Sequence, residues 1–514
     1  MEGVTRTCAG VVRGVQQPGG WVFRGIPYAR TGGEAGRWRP PSPPAPWRGI
    51  RPADTWGPIA PQTPPVAGFS LPGDPTEADE DCLNLNVWTP RPDDGARPVL
   101  VWVHGGGFTT GTGASLLFDG RRLASKGVVV VTINYRLGAL GLLAHPDLAV
   151  NGDGWGNWSL RDQLAALRWV QENIAGFGGD PGNVTLMGES AGAMSIAGLL
   201  AAPEAAGLFH RAVLQSGPPA TASPDWAVER AERLAGYAGV GERSVRALRD
   251  VPAEDLVAAT QRLGADAPAH GDLPLPLLPV LDGALLDRPP ADAVAEGAAA
   301  CVPLLVGATR DEATLFTVAD AADPDLDEAR VVERLARLVG RRAATRVVEG
   351  YRTARAARGE GVSGHDLWTA ITTDYVFRLP LQGLATAHAT HHPGTYAYLF
   401  TWASPFLGGV FGSCHGLDIP FVFGTVEEPA VQLFTGGGPA AGALAEQMQR
   451  AWIAFARHGD PSCDEVGEWP AYDPDRRPTM VLGPGGGVED DPRGAERRVW
   501  DDAGVTMGAG HHHG

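Results

Sequence analysis

Short apolar runs alternate with amphipathic stretches over residues 98–220 of the chain. The runs Val99 to Val103 and Val128 to Asn134 contain little polar alternation, which is typical of parallel strands buried on both faces. Between these runs and the next one, Asp162 to Asn173 carries its apolar residues at helical spacing. Strands that alternate with helices in this way predict a doubly wound α/β sheet.

The same patterns extend to the rest of the chain. Residues 39–75 are rich in proline and predict little regular structure. Residues 224–262 and 325–356 are helical in composition. The remaining predicted elements are two short strands within residues 9–28, strands at Leu83–Trp88, Ala212–Leu214, Pro303–Gly307 and Tyr396–Phe400, and a last helix at Ala443–His458 that is followed by an irregular tail.

One stretch joins a predicted strand to a predicted helix through Gly-x-Ser-x-Gly. An apolar run enters Gly188, and an Ala-rich run leaves after Gly192. A serine hydroxyl is a poor nucleophile unless it is exposed and paired with a base, and a sharp strand-to-helix turn exposes it. The same pattern also describes a glycine-rich turn with an ordinary serine, but the flanking elements favour Ser190 as a nucleophile.

Three glycines follow the buried strand at Val99 to Val103. In the segment His104 to Phe108 they allow the backbone to turn and present N–H groups without side chains in the way. Such N–H groups can bind an oxyanion. A merely flexible loop is the alternative interpretation.

A serine nucleophile needs a base and an acid, which follow it in the order serine, acid, histidine in this kind of sheet. His415 lies in a glycine-flanked loop after a late predicted strand and is our candidate for the base. Other histidines precede Ser190, lack an acid-bearing strand before them, lie at helix ends or are weakly marked. Asp311 and Glu312 both follow a buried strand, where a helix N-cap is the alternative role. Their positions alone do not separate the two residues.

Composition limits the classes of partner. The chain has 514 residues, of which 44% are hydrophobic, and a formal net charge of −17 with no long block of either sign. A protein with this charge repels nucleic acids and anionic membranes. No signal-like stretch opens the chain, and no apolar run is long enough to span a bilayer. We therefore expect neither nucleic acid nor membrane as a partner.

Five scattered cysteines without a C-x-x-C pair argue against a disulfide framework or a zinc cluster. Isolated thiols fit a reducing compartment, so we expect a cytoplasmic protein. Residues 508–514 end in His511 to His513 after a Gly/Ala stretch, which is consistent with a tag remnant.

From about residue 5 to about residue 485 the sequence resembles the type-B carboxylesterase family of the α/β-hydrolase fold, which includes bacterial p-nitrobenzyl esterases and cholinesterases. The resemblance rests on many specific motifs in a fixed order. They are Phe23–Ala29, Glu80–Val87, His104–Phe108, Asn134–Gly138, Phe177–Pro181, Gly188–Gly192, Leu214–Gly217, Asp311–Glu312, His415–Gly424 and Trp452–Asp460.

The resemblance implies one α/β-hydrolase domain over residues 1–507, with a large, mostly parallel twisted sheet, helices on both faces and helical insertions. It also implies a catalytic triad of Ser190, Glu312 and His415. The oxyanion donors would be the backbone N–H groups of Gly106, Gly107 and Ala191. Ser216 matches a buried serine that supports the acid in relatives, although a simple turn at a strand end is the alternative.

The sequence departs from the family pattern at a few positions, none of which removes a catalytic group. Relatives commonly pair a cysteine matching Cys82 with one near residue 60, where this chain has Ala60. Ala313 and Ser159 stand where many relatives have glycine. The stretch from Gln62 to Asp81, where cholinesterases carry a cation-binding tryptophan, contains no tryptophan.

The implied function is hydrolysis of carboxylic esters through an acyl-enzyme, without a metal or organic cofactor. Apolar residues in segments that line the site in relatives suggest small neutral aryl or alkyl esters as substrates. They are Leu116, Leu117, Phe118, Phe316, Phe406, Leu407 and Phe411. For any single one of them, a position in the ordinary core is the favoured alternative. The alternatives are an amidase or carbamate hydrolase with the same residues, and a binding protein that retains the triad without turnover. The oligomeric state is not indicated, and a monomer is compatible with the sequence.

Overall fold

A computed structural model describes most of the chain. The described residues are 3–32, 36–63, 71, 73–149, 154–241, 245–266, 275–318 and 326–505. The tail at 508–514 lies outside them, and the single-domain assignment of residues 1–507 stays a prediction.

The described strands form one large sheet and one small sheet. They are β1 (Val4–Arg6), β2 (Val11–Arg13), β3 (Val15–Gln17), β4 (Gly20–Pro27), β5 (Ile50–Pro52), β6 (Asn84–Thr89), β7 (Arg97–Val103), β8 (Val129–Ile133), β9 (Gly179–Glu189), β10 (Arg211–Gln215), β11 (Leu304–Thr309), β12 (Thr395–Phe400), β13 (Pro478–Leu482) and β14 (Gly487–Asp490). In the large sheet, eleven described strands follow the order β14-β13-β12-β11-β10-β9-β7-β8-β6-β4-β3. The strands from β13 to β8 run parallel, and antiparallel strands close both edges.

Sixteen α-helices are present in the described part of the chain. They are α1 (Arg121–Ser125), α2 (Gly138–Leu142), α3 (Trp158–Asn173), α4 (Ala191–Ala201), α5 (Pro224–Tyr237), α6 (Ala253–Asp266), α7 (Pro290–Ala295), α8 (Thr314–Thr317), α9 (Glu328–Val339), α10 (Arg341–Ala357), α11 (Gly364–Thr372), α12 (Leu379–Ala389), α13 (Ile419–Phe423), α14 (Pro429–Thr435), α15 (Gly438–His458) and α16 (Gly494–Ala503). The predicted helical regions therefore each contain more than one helix. For example, α9 and α10 are separated at Gly340, whose φ of 80° is accessible to glycine.

Two hydrophobic cores cover the two faces of the sheet. Successive side chains of a strand point to opposite faces, so Val99, Val101 and Val103 of β7 join one core. Leu100 and Trp102 of the same strand join the other core. Helices α3, α4, α7 and α12 pack on the first face, and α1, α13 and α15 pack on the second. This arrangement explains why the run from Val99 to Val103 in β7 contains no polar residue.

Two further apolar clusters lie in the helical insertions. One is formed mainly by α2, α5 and α6. The other is formed by α9, α10, α11 and α16. The predicted architecture of a mostly parallel sheet with helices on both faces and helical insertions is confirmed.

The prediction of an irregular tail after α15 is wrong. The strand β13 extends the parallel sheet beside β12, β14 pairs with β13 in antiparallel fashion, and α16 packs on α10. The apolar run at Pro478–Leu482 is only five residues long, and its burial depends on β12, about eighty residues earlier in the chain. A local pattern of this length does not distinguish a strand from a loop.

Candidate active site

The serine of the Gly-x-Ser-x-Gly motif occupies the turn between β9 and α4. Ser190 has φ 54° and ψ −126°, a backbone conformation that L-residues rarely adopt. Its N–H donates to the Gln215 carbonyl oxygen at 2.9 Å, which ties the strained turn to the neighbouring strand. A Cβ on Gly192 would lie 2.0 Å from the Val103 carbonyl oxygen. Only glycine at this position therefore allows α4 to pack this closely against β7.

The structure brings Glu312 and His415 together from loops that follow β11 and β12. The distance between His415 Nδ1 and Glu312 Oε2 is 2.6 Å. Glu312 is fully buried, and its Oε1 accepts the Thr309 N–H at 2.7 Å, which orients the carboxylate. Asp311, the alternative candidate by position, instead accepts the Ser413 N–H at 2.8 Å through Oδ2 and pairs with Arg310. Glu312 is therefore the residue of the acidic pair that contacts the imidazole.

The second nitrogen of the imidazole faces a carboxylate that our sequence analysis did not assign. His415 Nε2 lies 3.1 Å from Glu189 Oε1, and Glu189 directly precedes Ser190. Within the described residues, the Ser190 hydroxyl makes no hydrogen bond to the imidazole. The only sequence signal for Glu189 was an acidic residue at the end of a buried strand. The imidazole is thus held between two carboxylates, one at each nitrogen.

These carboxylates change the protonation of the site. Burial lowers the pKa of His415, but the charges of Glu189 and Glu312 outweigh burial and raise it to about 9. Burial raises the pKa of Glu189 to about 8, although the His415 charge opposes this shift. Burial likewise raises the pKa of Asp418 to about 6. Asp418 accepts hydrogen bonds from the Tyr398 hydroxyl and the Gln215 amide.

The glycine loop after β7 presents unpaired N–H groups. Gly106 and Gly107 have φ values of 105° and 58°. In the part of the chain that the structure describes, the N–H groups of Gly106, Gly107 and Ala191 have no hydrogen-bond acceptor. Ala191 begins α4, so its N–H is also at the positive end of a helix. The three N–H groups are available for an anionic ligand.

His104 holds this loop in place. Its Nδ1–H donates to the Gly105 carbonyl oxygen at 2.8 Å, and the Tyr135 hydroxyl donates to the His104 carbonyl oxygen at 2.6 Å. The two rings stack with centroids 4.5 Å apart. Burial lowers the pKa of His104 to about 4, so the imidazole is neutral at neutral pH. It serves as a fixed hydrogen-bond donor to the loop. This role agrees with the sequence analysis, which excluded histidines before Ser190 as candidates for the base.

Ser216 lies at the end of β10 with φ 52°, and its N–H donates to the Gly307 carbonyl oxygen at 2.8 Å. Its buried hydroxyl has no hydrogen-bond partner among the described residues. Its role as a support for the acid stays a prediction.

Two phenylalanine rings border the imidazole. Phe316 and Phe377 are parallel within 10°, and their centroids lie 5.2 and 4.9 Å from that of His415. Phe316 is 55% exposed, which is unusual for an aromatic side chain and indicates an open apolar surface beside the base. Phe377 belongs to a π-helical turn over Thr373–Arg378, which no sequence pattern had indicated.

Other predicted lining residues have different surroundings. Phe118 is buried in the core against Trp102 and Phe423. Phe406 and Phe411 stack on each other. Near the glycine loop, a Cβ on Gly107 would lie 3.3 Å from Leu275 Cδ2, which adds an apolar neighbour that the sequence did not indicate.

The described residues contain no cluster of three or more His, Cys, Asp or Glu side chains arranged to hold a metal ion. None of the helices in the described ranges is both long enough and apolar enough to cross a membrane.

Comparisons with known proteins agree with the geometry. A sequence model of the Carboxylesterase family matches residues 2–500. The chain belongs to the carboxylesterase family. It is 37% identical to the para-nitrobenzyl esterase of Bacillus subtilis strain 168 over 504 residues, which cover 96% of this chain and 98% of that protein. It is also 37% identical to the phenmedipham hydrolase of Pseudarthrobacter oxydans over 489 residues, or 93% of this chain and 95% of that protein.

A solved structure places this carboxylesterase in the same fold. The carboxylesterase of Geobacillus stearothermophilus, determined at pH 6.2, superposes with a TM-score of 0.83 at 38% identity, covering 97% of this chain and 100% of that one. The predicted family and fold are confirmed, and the chain is an ester hydrolase.

Proposed function

We propose that this carboxylesterase hydrolyses small neutral esters through Ser190, Glu312 and His415. The observation that carries the proposal is the 2.6 Å contact between His415 Nδ1 and the buried Glu312 carboxylate. A carboxylate at Nδ1 keeps the proton on that nitrogen and leaves Nε2 as the base. Ser190 occupies a strained turn directly after β9. Glu312 and His415 follow β11 and β12, so all three residues come after the carboxyl ends of parallel strands of the same sheet.

In the first half of the reaction, His415 Nε2 accepts the proton of the Ser190 hydroxyl as its oxygen attacks the ester carbonyl carbon. Nε2 must turn from Glu189 toward Ser190 for this step, because a base needs hydrogen-bond contact with the proton that it takes. The carbonyl oxygen becomes an oxyanion, which the N–H groups of Gly106, Gly107 and Ala191 bind.

The tetrahedral intermediate then expels the alcohol, which takes the proton from His415. Water attacks the acyl-enzyme with the same base, and the carboxylic acid leaves with Ser190 restored. Apart from the ester and the water, every group in these steps is one that the chain supplies.

The position of His415 indicates which part of the ester the phenylalanine pair contacts. The base gives its proton to the leaving alcohol, so the alcohol lies on the imidazole side of the scissile bond. Phe316 and Phe377 border that side and favour an aryl or other apolar alcohol. The Bacillus relative is a para-nitrobenzyl esterase, which supports the same class of alcohol.

Hydrolysis of p-nitrophenyl acetate tests the proposal. We expect release of nitrophenolate by the wild-type protein, and a loss of roughly a millionfold in kcat for Ser190→Ala with an unchanged melting temperature. A phenylmethylsulfonyl reagent should label Ser190 alone. Ser195→Ala is a matched control on the same helix, one turn away, and should keep activity.

Three results would contradict the proposed nucleophile or the proposed class of protein. A label on Ser195 or Ser216 would overturn the choice of nucleophile. Faster turnover of matched anilides or carbamates than of esters would favour an amidase or carbamate hydrolase. Folded protein that turns over none of them would indicate a binding protein. Gel filtration would determine the oligomeric state, which the sequence does not indicate, and cell fractionation tests the predicted cytoplasmic location.

A further inference from the structure

Asp311 connects the loop that carries the acid to the loop that carries the base. Its N–H donates to the Ser413 carbonyl oxygen at 2.9 Å, and its Oδ2 accepts the Ser413 N–H at 2.8 Å. The two residues are 102 positions apart in the sequence. We call this two-way connection between Asp311 and Ser413 the loop clasp.

The loop clasp lies next to the contact on which the base depends. Glu312 directly follows Asp311, and His415 lies two residues after Ser413. The only other backbone hydrogen bond between these two short segments in the described residues, from the His415 N–H to the Glu312 carbonyl oxygen, is long at 3.4 Å. The loop clasp is therefore the stronger backbone restraint on the 2.6 Å distance between Glu312 and His415.

Because Gly412 has no side chain, the Asp311 carboxylate can lie directly beside it. Gly412 has φ 55°, and a Cβ on it would lie 2.6 Å from Asp311 Oδ2. Gly408 in the same loop has φ 74° and would meet nothing within 4 Å. The two glycines share a positive φ and differ in their proximity to the carboxylate, which makes them a matched pair.

The hydrogen bond between Asp311 and Ser413 is not protected by complete burial. The Asp311 side chain is 29% exposed and borders a polar cavity of about 350 Å³ that Arg310 and Gly412 also line. The Asp311 side-chain oxygen is a positioned acceptor that takes the place of water at the Ser413 N–H. Arg310 pairs with the same carboxylate at 2.8 Å and orients it, but a partly exposed pair of this kind contributes little by itself.

We propose that Asp311 is a positioning residue for the reaction: through the loop clasp it keeps Glu312 at hydrogen-bond distance from His415. Asp311 does not touch the reacting atoms. The inference rests on the proposed function, because it concerns the acid and base assigned there.

Replacement of the carboxylate tests the loop clasp. Asp311→Ala should lower kcat for p-nitrophenyl acetate by roughly tenfold to hundredfold, the range expected for loss of a hydrogen bond to a charged group, with KM within about twofold. Asp311→Asn should restore most of kcat, since its side-chain oxygen can accept the same N–H. A merely structural role would lower the melting temperature without this rescue.

Two further measurements connect the effect to the acid–base pair. In a Glu312→Gln background, Asp311→Ala should lower kcat little further. The contact between residue 312 and His415, which Asp311 maintains, has already lost its negative charge in that background. The far-downfield proton NMR signal of the His415 Nδ1–H should weaken or shift in Asp311→Ala and return in Asp311→Asn. Gly412→Ala should reproduce the loss of kcat, and Gly408→Ala should not.

The outcomes separate the two proposals. Full activity in Glu312→Gln would overturn the triad and the loop clasp with it. An inactive Glu312→Gln together with wild-type kcat in both Asp311→Ala and Gly412→Ala would overturn the loop clasp alone. A full, independent loss from Asp311→Ala in the Glu312→Gln background would also overturn it.

Discussion

Glu189 Oε1 lies 3.1 Å from His415 Nε2, the nitrogen that accepts the serine proton in the proposed reaction. Glu189 is buried, and its Oε1 has no hydrogen-bond donor among the described residues. A negative charge at this distance stabilises the imidazolium and disfavours the neutral form that acts as the base. The resting structure is therefore one in which the base is held by a second carboxylate.

We expect the pH dependence of kcat/KM to show this effect. In the proposed reaction His415 acts as a neutral base, and its pKa is raised to about 9, so the rate should rise with pH above the usual histidine range near 6.5. Glu189→Gln removes a charge that raises this pKa, so the midpoint of the rise should move to lower pH. A pH–rate profile of each protein with p-nitrophenyl acetate measures the shift. Glu296→Gln, at a side chain that is 63% exposed, is the control and should leave the midpoint in place. An unmoved midpoint in Glu189→Gln would contradict the interpretation.

Gly106→Ala should inactivate the enzyme more strongly than Gly107→Ala. A Cβ at Gly106 would lie 2.2 Å from the Thr110 carbonyl oxygen, and this backbone contact forces the loop to move. At Gly107 the nearest atom is Leu275 Cδ2 at 3.3 Å, the end of a flexible side chain. Because displaced donors stabilise the oxyanion less, we expect a loss of at least about a hundredfold in kcat for Gly106→Ala. Affinity for a trifluoromethyl ketone should fall in parallel. Equal losses in the two variants would argue against the assigned geometry.

Phe316→Ala should change the preference for the alcohol part of the ester. The side chain is 55% exposed, so stability should change little, while aryl alcohols lose a stacking partner beside His415. The ratio of kcat/KM for phenyl acetate to that for ethyl acetate should fall several-fold, in line with an aromatic contact of about 1 kcal/mol. Leu433→Ala is the control, since this apolar side chain is also well exposed, at 66%, and is not among the predicted lining residues. A change in the preference for acyl length, with the alcohol preference intact, would place Phe316 on the acyl side instead.

We expect poor hydrolysis of acetylthiocholine compared with p-nitrophenyl acetate. A quaternary ammonium group is bound by an aromatic face, and residues 62–81 contain no tryptophan to supply one. Phe69, the aromatic residue of this stretch, lies outside the described residues. Side-by-side kcat/KM measurements decide the matter, and comparable values for the two substrates would show that a cation site exists elsewhere.

The sequence by itself determined the parts of this protein that are encoded within a few neighbouring residues. A fully apolar run such as Val99 to Val103 is stable only when both faces are covered, so it predicted a buried parallel strand. The turn at Ser190 was equally predictable, because the strand, the glycines and the helix are contiguous. The family motifs depend on order and spacing along the chain and were therefore also visible in the sequence.

Only the tertiary structure decided which groups surround the base. Glu189, Glu312 and Phe377 reach His415 from three segments that are more than 35 residues from it, and no local pattern records where such side chains meet. The protonation of the base depends on the same distances, since charge–charge energies vary with separation and burial rather than with sequence spacing. Asp311 and Glu312 are adjacent and chemically alike, but the fold directs one toward Ser413 and the other toward His415. The proposed positioning residue and the proposed catalytic acid therefore differ only in the contact that the fold gives each of them.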